Sequence, residues 1–423
     1  MHLLSCTLTF RLLLFGLTLV VCTSATFAQS AKKPLKVFIL AGQSNMEGHA
    51  KLSSFDHISM DPKTVPILKE MRAADGTPRV CEQVWISYLT GAKGSNGEGH
   101  GQLTAGYGSR MDPKVIGEKI GPEFTFGIYM QKYLDEPILI IKTAWGGKSL
   151  HTDFRSPSAG PYVFNEKELQ GLKKQDKDIR AIQAKRAEAT GHYYRLMIDH
   201  VQHVLKDIKR VCPIYDQEQG YEIAGFVWFQ GWNDMVDSSV YPNRYQPGGY
   251  DQYSVVLEHF IRDVRMDLDA PDMHFVIGVM GAGGPVDQYD ESQKRYAGVH
   301  TGFRNAMAAS ATKPAFKKNV TAVWTEKYWD KELDVVAKKN GLVSKKAKTL
   351  RDDNKGYPDK AGTISPQEQK AIVEKYRKEV LTPRDLELLK GITNADYHYK
   401  GSAKVIAQIG KGFAEALAPF LNQ

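Results

Sequence analysis

The chain has 423 residues, 42% of them hydrophobic, and 56 Lys and Arg against 48 Asp and Glu give a formal charge of +8 at pH 7. That length exceeds one average domain and can bury a large core. The excess of base excludes little by itself, but no basic stripe is interleaved with aromatics as nucleic-acid binding requires, and much of the lysine alternates with acids in 331–380, the pattern of a solvated helical face.

In chain order, the first signal is an apolar run at 12–21, preceded by Arg11 and followed by small residues up to Ala28. This predicts a secretory signal peptide over 1–28, cleaved after Ala28. Spanning a bilayer takes roughly twenty apolar residues, so no stable membrane anchor is expected and the mature protein is secreted or periplasmic. A lipoprotein would need a small residue before Cys22, where Val21 stands. Removing the signal leaves Cys81 and Cys212, a pair able to form one disulfide if the fold brings them together.

Residues 36–41 (K-V-F-I-L-A) form a short apolar run rich in branched side chains and ending in glycine, which reads as a buried parallel strand. Similar runs occupy 137–142, 224–229, 274–280 and 320–324. Between them, 123–134, 192–209 and 250–268 carry apolar residues at helical spacing. The alternation predicts an α/β fold, a mostly parallel open sheet with helices on both faces. Residues 91–108 are glycine-rich and read as a long loop. Residues 327–390 read as a charged helical insertion with helix starts at Ser365-Pro366 and Thr382-Pro383. The core then comprises 34–326 and 391–423, closing on a final amphipathic helix at 400–421.

In open α/β sheets, ligands gather beyond the carboxyl ends of the strands. Here the first strand is followed by G-Q-S-N-M, the second by W-G-G and the third by Q-G-W-N-D. Ser44 thus stands where a hydroxyl can face the crevice as a nucleophile, although serines after strands are also common caps. It lies outside the G-x-S-x-G elbow pattern. A serine hydroxyl needs a base, and His398, in N-A-D-Y-H-Y-K-G ahead of the last helix, is the candidate. The oxyanion of acyl transfer needs neutral donors: the Ser44 N–H, Gly146 or Gly147, and a side-chain amide from Gln230 or Asn233. W-G-G also reads as a tight turn requiring positive φ.

The G-Q-S-N-M block, the K-T-A-W-G-G block at 142–147, the W-F-Q-G block at 228–231 and the terminal His398 resemble the SGNH hydrolase superfamily. More closely they resemble the sialate O-acetylesterase-like carbohydrate esterases, grouped with acetylxylan esterases. The resemblance implies a three-layer α/β/α fold, a Ser44 and His398 pair, acetyl ester substrates on carbohydrate, and no cofactor. That superfamily places its acid three residues before the histidine, where this chain has Ala395; Asp396 is two before, so the acid is Asp396, Asp234, or a backbone carbonyl serving a dyad. Of the two amides, Gln230 is favoured over Asn233.

Arg155 is a candidate for a substrate carboxylate or for a structural ion pair. Trp145, Trp228 and Trp232 are candidates for stacking on sugar rings or for the core. His49 and His151 lie near the motifs without a nameable partner. Cysteine and histidine spacing offers no metal site. The competing readings are a non-catalytic carbohydrate-binding protein on the same fold and a lipid-directed esterase.

Overall fold

The computed structural model describes residues 33–90, 97–355 and 364–421. The expected signal peptide lies outside the described residues, as does part of the glycine-rich stretch. Among the described residues, no helix is long and apolar enough to cross a membrane.

The strands are β1 Leu35–Gly42, β2 Ala50–Lys51, β3 Val84–Thr90, β4 Gly97–Gln102, β5 Lys119–Ile120, β6 Ile138–Ala144, β7 Tyr221–Phe229, β8 Phe275–Val279 and β9 Val320–Trp324. Seven form one sheet in the order β4-β3-β6-β1-β7-β8-β9, while β2 and β5 pair as a small ribbon. All neighbours in the large sheet run parallel except β4, which is antiparallel to β3 at the edge.

β1 is buried along its whole length, and apolar apart from Lys36, because both of its faces are covered. Val37, Ile39 and Ala41 enter one core layer, with Met197 and Val201 of helix His192–Lys206 and Val256, Phe260 and Ile261 of helix Asp251–Asp267. Phe38 and Leu40 enter the other, against Phe124 and Phe126 of helix Glu123–Met130 and Ile406, Phe413 and Leu417 of helix Ala403–Leu417. The period-two alternation of side chains thus makes three layers from one strand. β1 lies between β6 and β7, so the chain leaves it toward opposite halves of the sheet, and a crevice opens at its carboxyl end.

Two strands of the large sheet, and both of the small ribbon, were not anticipated. β3 (V-W-I-S-Y-L-T) carries an ordinary apolar run. β4 (G-E-G-H-G-Q) falls within the stretch expected to be loop, which is corrected here. Its glycines answer to crowding: a Cβ at Gly99 would stand 1.9 Å from Arg110 Nη2 and 2.1 Å from the Pro113 carbonyl. Cys81 and Cys212 are both free and buried, in different core layers. Burial pushes their thiols up to about 12 and about 11, so both are inert.

In the 331–389 region, helices Lys331–Lys355, Pro366–Val380 and Pro383–Leu389 gather around Leu333, Val336, Val343, Leu381 and Leu388. Ser365 and Thr382 each close a capping box at the helix start.

One buried ion pair ties the first crossing to the crevice. Lys142 on β6 donates to Glu123 Oε2 at 2.7 Å, to the Glu47 carbonyl at 2.8 Å and to the Tyr107 carbonyl at 2.9 Å, with both charged side chains fully buried. Burial lowers the lysine pKa, and Glu123 opposes that. Lys142→Met strands the Glu123 carboxylate and is expected to cost about 3–5 kcal/mol in urea denaturation. Lys142→Met with Glu123→Leu should recover most of that loss.

Candidate active site

Ser44 is the first residue of the short helix Ser44–Glu47, directly after β1. The first N–H groups of a helix have no partner within it, which leaves that of Ser44 available toward the crevice. The turn after β6 lies alongside: a Cβ on Gly146 would be 3.8 Å from Ser44 Cβ and 3.2 Å from Glu47 Oε2. Gly147 takes φ +76°, so the W-G-G segment is also the positive-φ turn that its glycines suggested.

The loop after β7 is organised around Gln43. The Gly231 backbone N–H reaches Gln43 Oε1 at 3.0 Å, and since a backbone N–H only donates, the oxygen of that amide must be the atom facing it. Gln43 Nε2 therefore donates to Asn233 Oδ1 at 3.1 Å, which leaves Asn233 Nδ2 outside that contact. Gln230 has no such freedom. Its Nε2 serves Asp234 Oδ2 at 2.6 Å, Lys148 O at 3.1 Å and Gln43 Oε1 at 3.2 Å, while its Oε1 accepts from Tyr253 at 3.2 Å. The preference for Gln230 as oxyanion donor is corrected: its amide is consumed in the frame, and Asn233 is the side chain left to donate.

His398 stands across from this loop. Asn45 Nδ2 donates to the Tyr397 carbonyl at 3.1 Å, and the His49 and His398 rings stack at 4.1 Å and 8°. These contacts bring the flanks of Ser44 and His398 together over 352 residues of sequence. No hydrogen bond joins Ser44 Oγ to the imidazole among the described residues.

His398 Nδ1 lies 2.9 Å from Asn394 Oδ1. The Ala395 backbone N–H donates to the same oxygen at 2.7 Å, so the amide orientation is settled by a group that can only donate. The proton of the neutral imidazole is then on Nδ1, and the lone pair on Nε2. Burial, reinforced by His49 and Lys119, pulls the His398 pKa down to about 3.

Neither anticipated acid touches the imidazole. Asp396 is largely exposed and pairs with Lys400 at 2.7 Å. Asp234 is fully buried and accepts from Leu150 N, His151 N, Gln230 Nε2 and the Tyr241 hydroxyl. Arg155 directs Nε, Nη1 and Nη2 to the backbone carbonyls of Gly160, His151 and Ala159, and no ion pair to it is found among the described residues. Trp145 and Trp228 are core residues, packed with Phe154. Trp232 is half-buried and lies 5.5 Å from the exposed Tyr397 ring, at the rim. His151, left without a partner by the sequence, bonds Thr152 Oγ1 at 2.7 Å. Gln43 and Asn394 were missed; Gln43 lies inside the G-Q-S-N-M block, whereas nothing in the order of residues marks Asn394.

A cavity of about 430 Å³ opens beside Gly147 and Asn233, with Ser149, Asp153, Lys185 and Arg186 among its walls. Ser44 and His398 are not among the residues that line it. Among the described residues no group of three or more His, Cys, Asp and Glu side chains is arranged to hold a metal ion.

The open, mostly parallel sheet with this crevice at the ends of β1, β6 and β7 is of α/β architecture, and a family match makes the chain a carboxylic ester hydrolase. A family model described as carbohydrate esterase, sialic acid-specific acetylesterase, matches residues 103–326, more than half of the chain. The chain belongs to that family. The matched segment holds Gly146, Gly147, Gln230 and Asn233; Ser44 and His398 flank it. No curated protein matches the chain. Among solved structures, a protein from Arabidopsis thaliana is 18% identical, with 69% of this chain and 86% of that one covered, at a TM-score of 0.36. A carbohydrate acetylesterase from Xanthomonas citri is 13% identical, with 68% and 49% covered, at 0.35. NanS is 12% identical, with 69% and 78% covered, at 0.35.

Asn394→Asp places a negative charge beside Nδ1 and is expected to raise the His398 pKa from its wild-type position near 3. An NMR titration of the imidazole C2 proton reads this directly. An unmoved midpoint would remove Asn394 as the imidazole's partner. His200, His274 and His300 are likewise held neutral by burial, each down to about 4. The unfolded chain takes up those protons near pH 6.5 and the folded one does not. Stability is therefore full above pH 6.5 and falls progressively between pH 6.5 and 4, as thermal melts across that window will show.

Proposed function

We propose that the protein removes O-acetyl groups from an acetylated carbohydrate by serine acyl transfer, and that it does so outside the cytoplasm. The observation that carries the reading is a neutral imidazole with its lone pair on Nε2, together with Asn233, which lines the cavity with its Oδ1 already engaged by Gln43. His398 Nε2 takes the Ser44 proton as Oγ attacks the acetyl carbonyl. The oxyanion is met by the Ser44 N–H, the Gly146–Gly147 turn and Asn233. The sugar alcohol leaves with the proton from His398, and water, deprotonated by the same nitrogen, releases acetate.

Asn394 does less than a carboxylate would. In serine hydrolases an amide that presents its NH₂ to the base imposes the wrong tautomer and costs about 10⁴ in rate. Here Ala395 N–H holds the amide the other way round, so the correct tautomer is kept without a charge to stabilise the imidazolium. The cavity beside Asn233 suits a hydroxylated ring, because its walls include Ser149, Thr152, Asp153, Lys185, Arg186 and Asp237. The family description, sialic acid-specific acetylesterase, supports an acetylated sugar as substrate.

Ser44→Ala is expected to abolish acetate release from acetylated glycans and from a chromogenic acetyl ester, with the thermal melt unchanged; full turnover in that variant ends the assignment. Asn233→Ala should lower kcat by about 10²–10³ with a small change in KM. Because His398 stays neutral far below pH 6.5, kcat/KM should show no acid limb between pH 7 and 5, measured over intervals short enough to avoid acid unfolding.

A further inference from the structure

Tyr399, Lys400 and Gly401 take φ of +51°, +59° and +59°, three successive left-handed residues directly after His398. Only the last is glycine, and a Cβ there would come within 2.5 Å of Thr393 Oγ1. Non-glycine residues hold such a conformation only when their surroundings over-determine it. Tyr399 is held by its hydroxyl, which meets the Gly281 N–H at 2.7 Å and Thr325 Oγ1 at 2.6 Å beyond β8 and β9.

Lys400 is held differently. It is buried, its ammonium lies 5.1 Å from the Trp329 ring, and it bridges Asp396 at 2.7 Å and Asp334 at 3.2 Å. Asp334 belongs to the first turn of helix Lys331–Lys355, outside the sheet. The Lys400 carbonyl accepts from Thr393 N at 2.8 Å and Asn394 N at 2.9 Å, and its N–H returns to the Ala395 carbonyl at 3.0 Å. The backbone of Lys400 therefore carries the residue whose side chain orients His398.

We infer that Lys400, clamped between Asp396 and Asp334, is a positioning residue for His398, and that the 331–389 helices serve the reaction by holding that clamp. The inference rests on the proposed role of His398 as base. Charge from the added helices fixes the left-handed backbone; the backbone seats Asn394; Asn394 keeps the imidazole proton on Nδ1. Removing the clamp frees the loop to relax, which lets the imidazole turn or change tautomer without disturbing the substrate cavity.

The test compares wild type, Asp334→Asn, Lys400→Met and Lys400→Arg on a chromogenic acetyl ester, together with ¹⁵N imidazole spectra. Base catalysis contributes roughly 10²–10⁴; its partial loss is expected to lower kcat about tenfold in Asp334→Asn and further in Lys400→Met, with KM within about twofold. The His398 spectrum should lose its Nδ1-protonated signature in both, and Lys400→Arg, which can still bridge two carboxylates, should restore kcat and spectrum. Unchanged kcat and tautomer in Asp334→Asn and Lys400→Met overturn the inference. Asp334→Asn is a near-isosteric change in a partly exposed helical turn, so it reads the clamp even where Lys400→Met disturbs folding. Wild-type protein without Ser44-dependent hydrolysis would defeat the functional reading alone, and the tautomer comparison would then decide the positioning role by itself.

Discussion

Asp234 is a carboxylate with no exposed surface and no ion-pair partner among the described residues, so its charge has to be met by hydrogen-bond donors. It takes four, from Leu150 N, His151 N, Gln230 Nε2 and the Tyr241 hydroxyl. The cost of that arrangement also appears at Tyr241, whose pKa is driven well up by burial and by the neighbouring carboxylate. Three segments are thereby locked to one point: the turn after β6, the end of β7 and the stretch leading to Tyr241. Leaving any one of these donors unmade would strand a buried charge, which explains how loops with no regular structure hold a rigid crevice.

From Asp234 the order passes outward through side-chain amides. Each amide has a donor end and an acceptor end, so fixing one fixes the next. Asp234 orients Gln230, Gln230 and the Gly231 N–H orient Gln43, and Gln43 orients Asn233. The functional consequence lies at the last member. The orientation of the Asn233 amide is set by a carboxylate three links behind it, not by anything local to Asn233. A donor held in this way needs little reorganisation when a negative charge develops before it, which is the condition under which such groups accelerate acyl transfer.

How far the sequence revealed this depends on what kind of signal each residue carries. β1, β6, β7, β8 and β9 were legible because buried strands carry nearly continuous apolar runs. β4 was not, since Gly97, Gly99 and Gly101 sit under the 106–117 loop where side chains do not fit, and glycine spacing reads as loop. Helices Glu166–Lys174 and Ile179–Ala189 were overlooked because few of their positions face a core. Arg186, which lines the cavity and lies 4.7 Å over Tyr162, was hidden with them. At the site, motif and strand end pointed to Ser44 and the glycine turn, but the division of labour between Gln230 and Asn233 is a matter of which amide is already bonded. Residue order carries no record of that.

The same limit explains the acid. Spacing from the histidine suggested Asp396, yet the chain between 393 and 401 closes on itself through the left-handed Lys400, and this turns residue 394 under the ring while Asp396 faces Lys400. A carboxylate at 394 would raise the imidazole pKa and stabilise the imidazolium formed in the transition state. The amide forgoes that gain. It keeps the base unprotonated across a wide acid range, because burial beside His49 and Lys119 works against the charged form and nothing at Nδ1 opposes it. In the proposed reaction, proton acceptance would therefore be harder at each turnover but open well below pH 6.5. The histidines at 200, 274 and 300 place the acid limit of that range in the stability of the fold, not in the chemistry of the site.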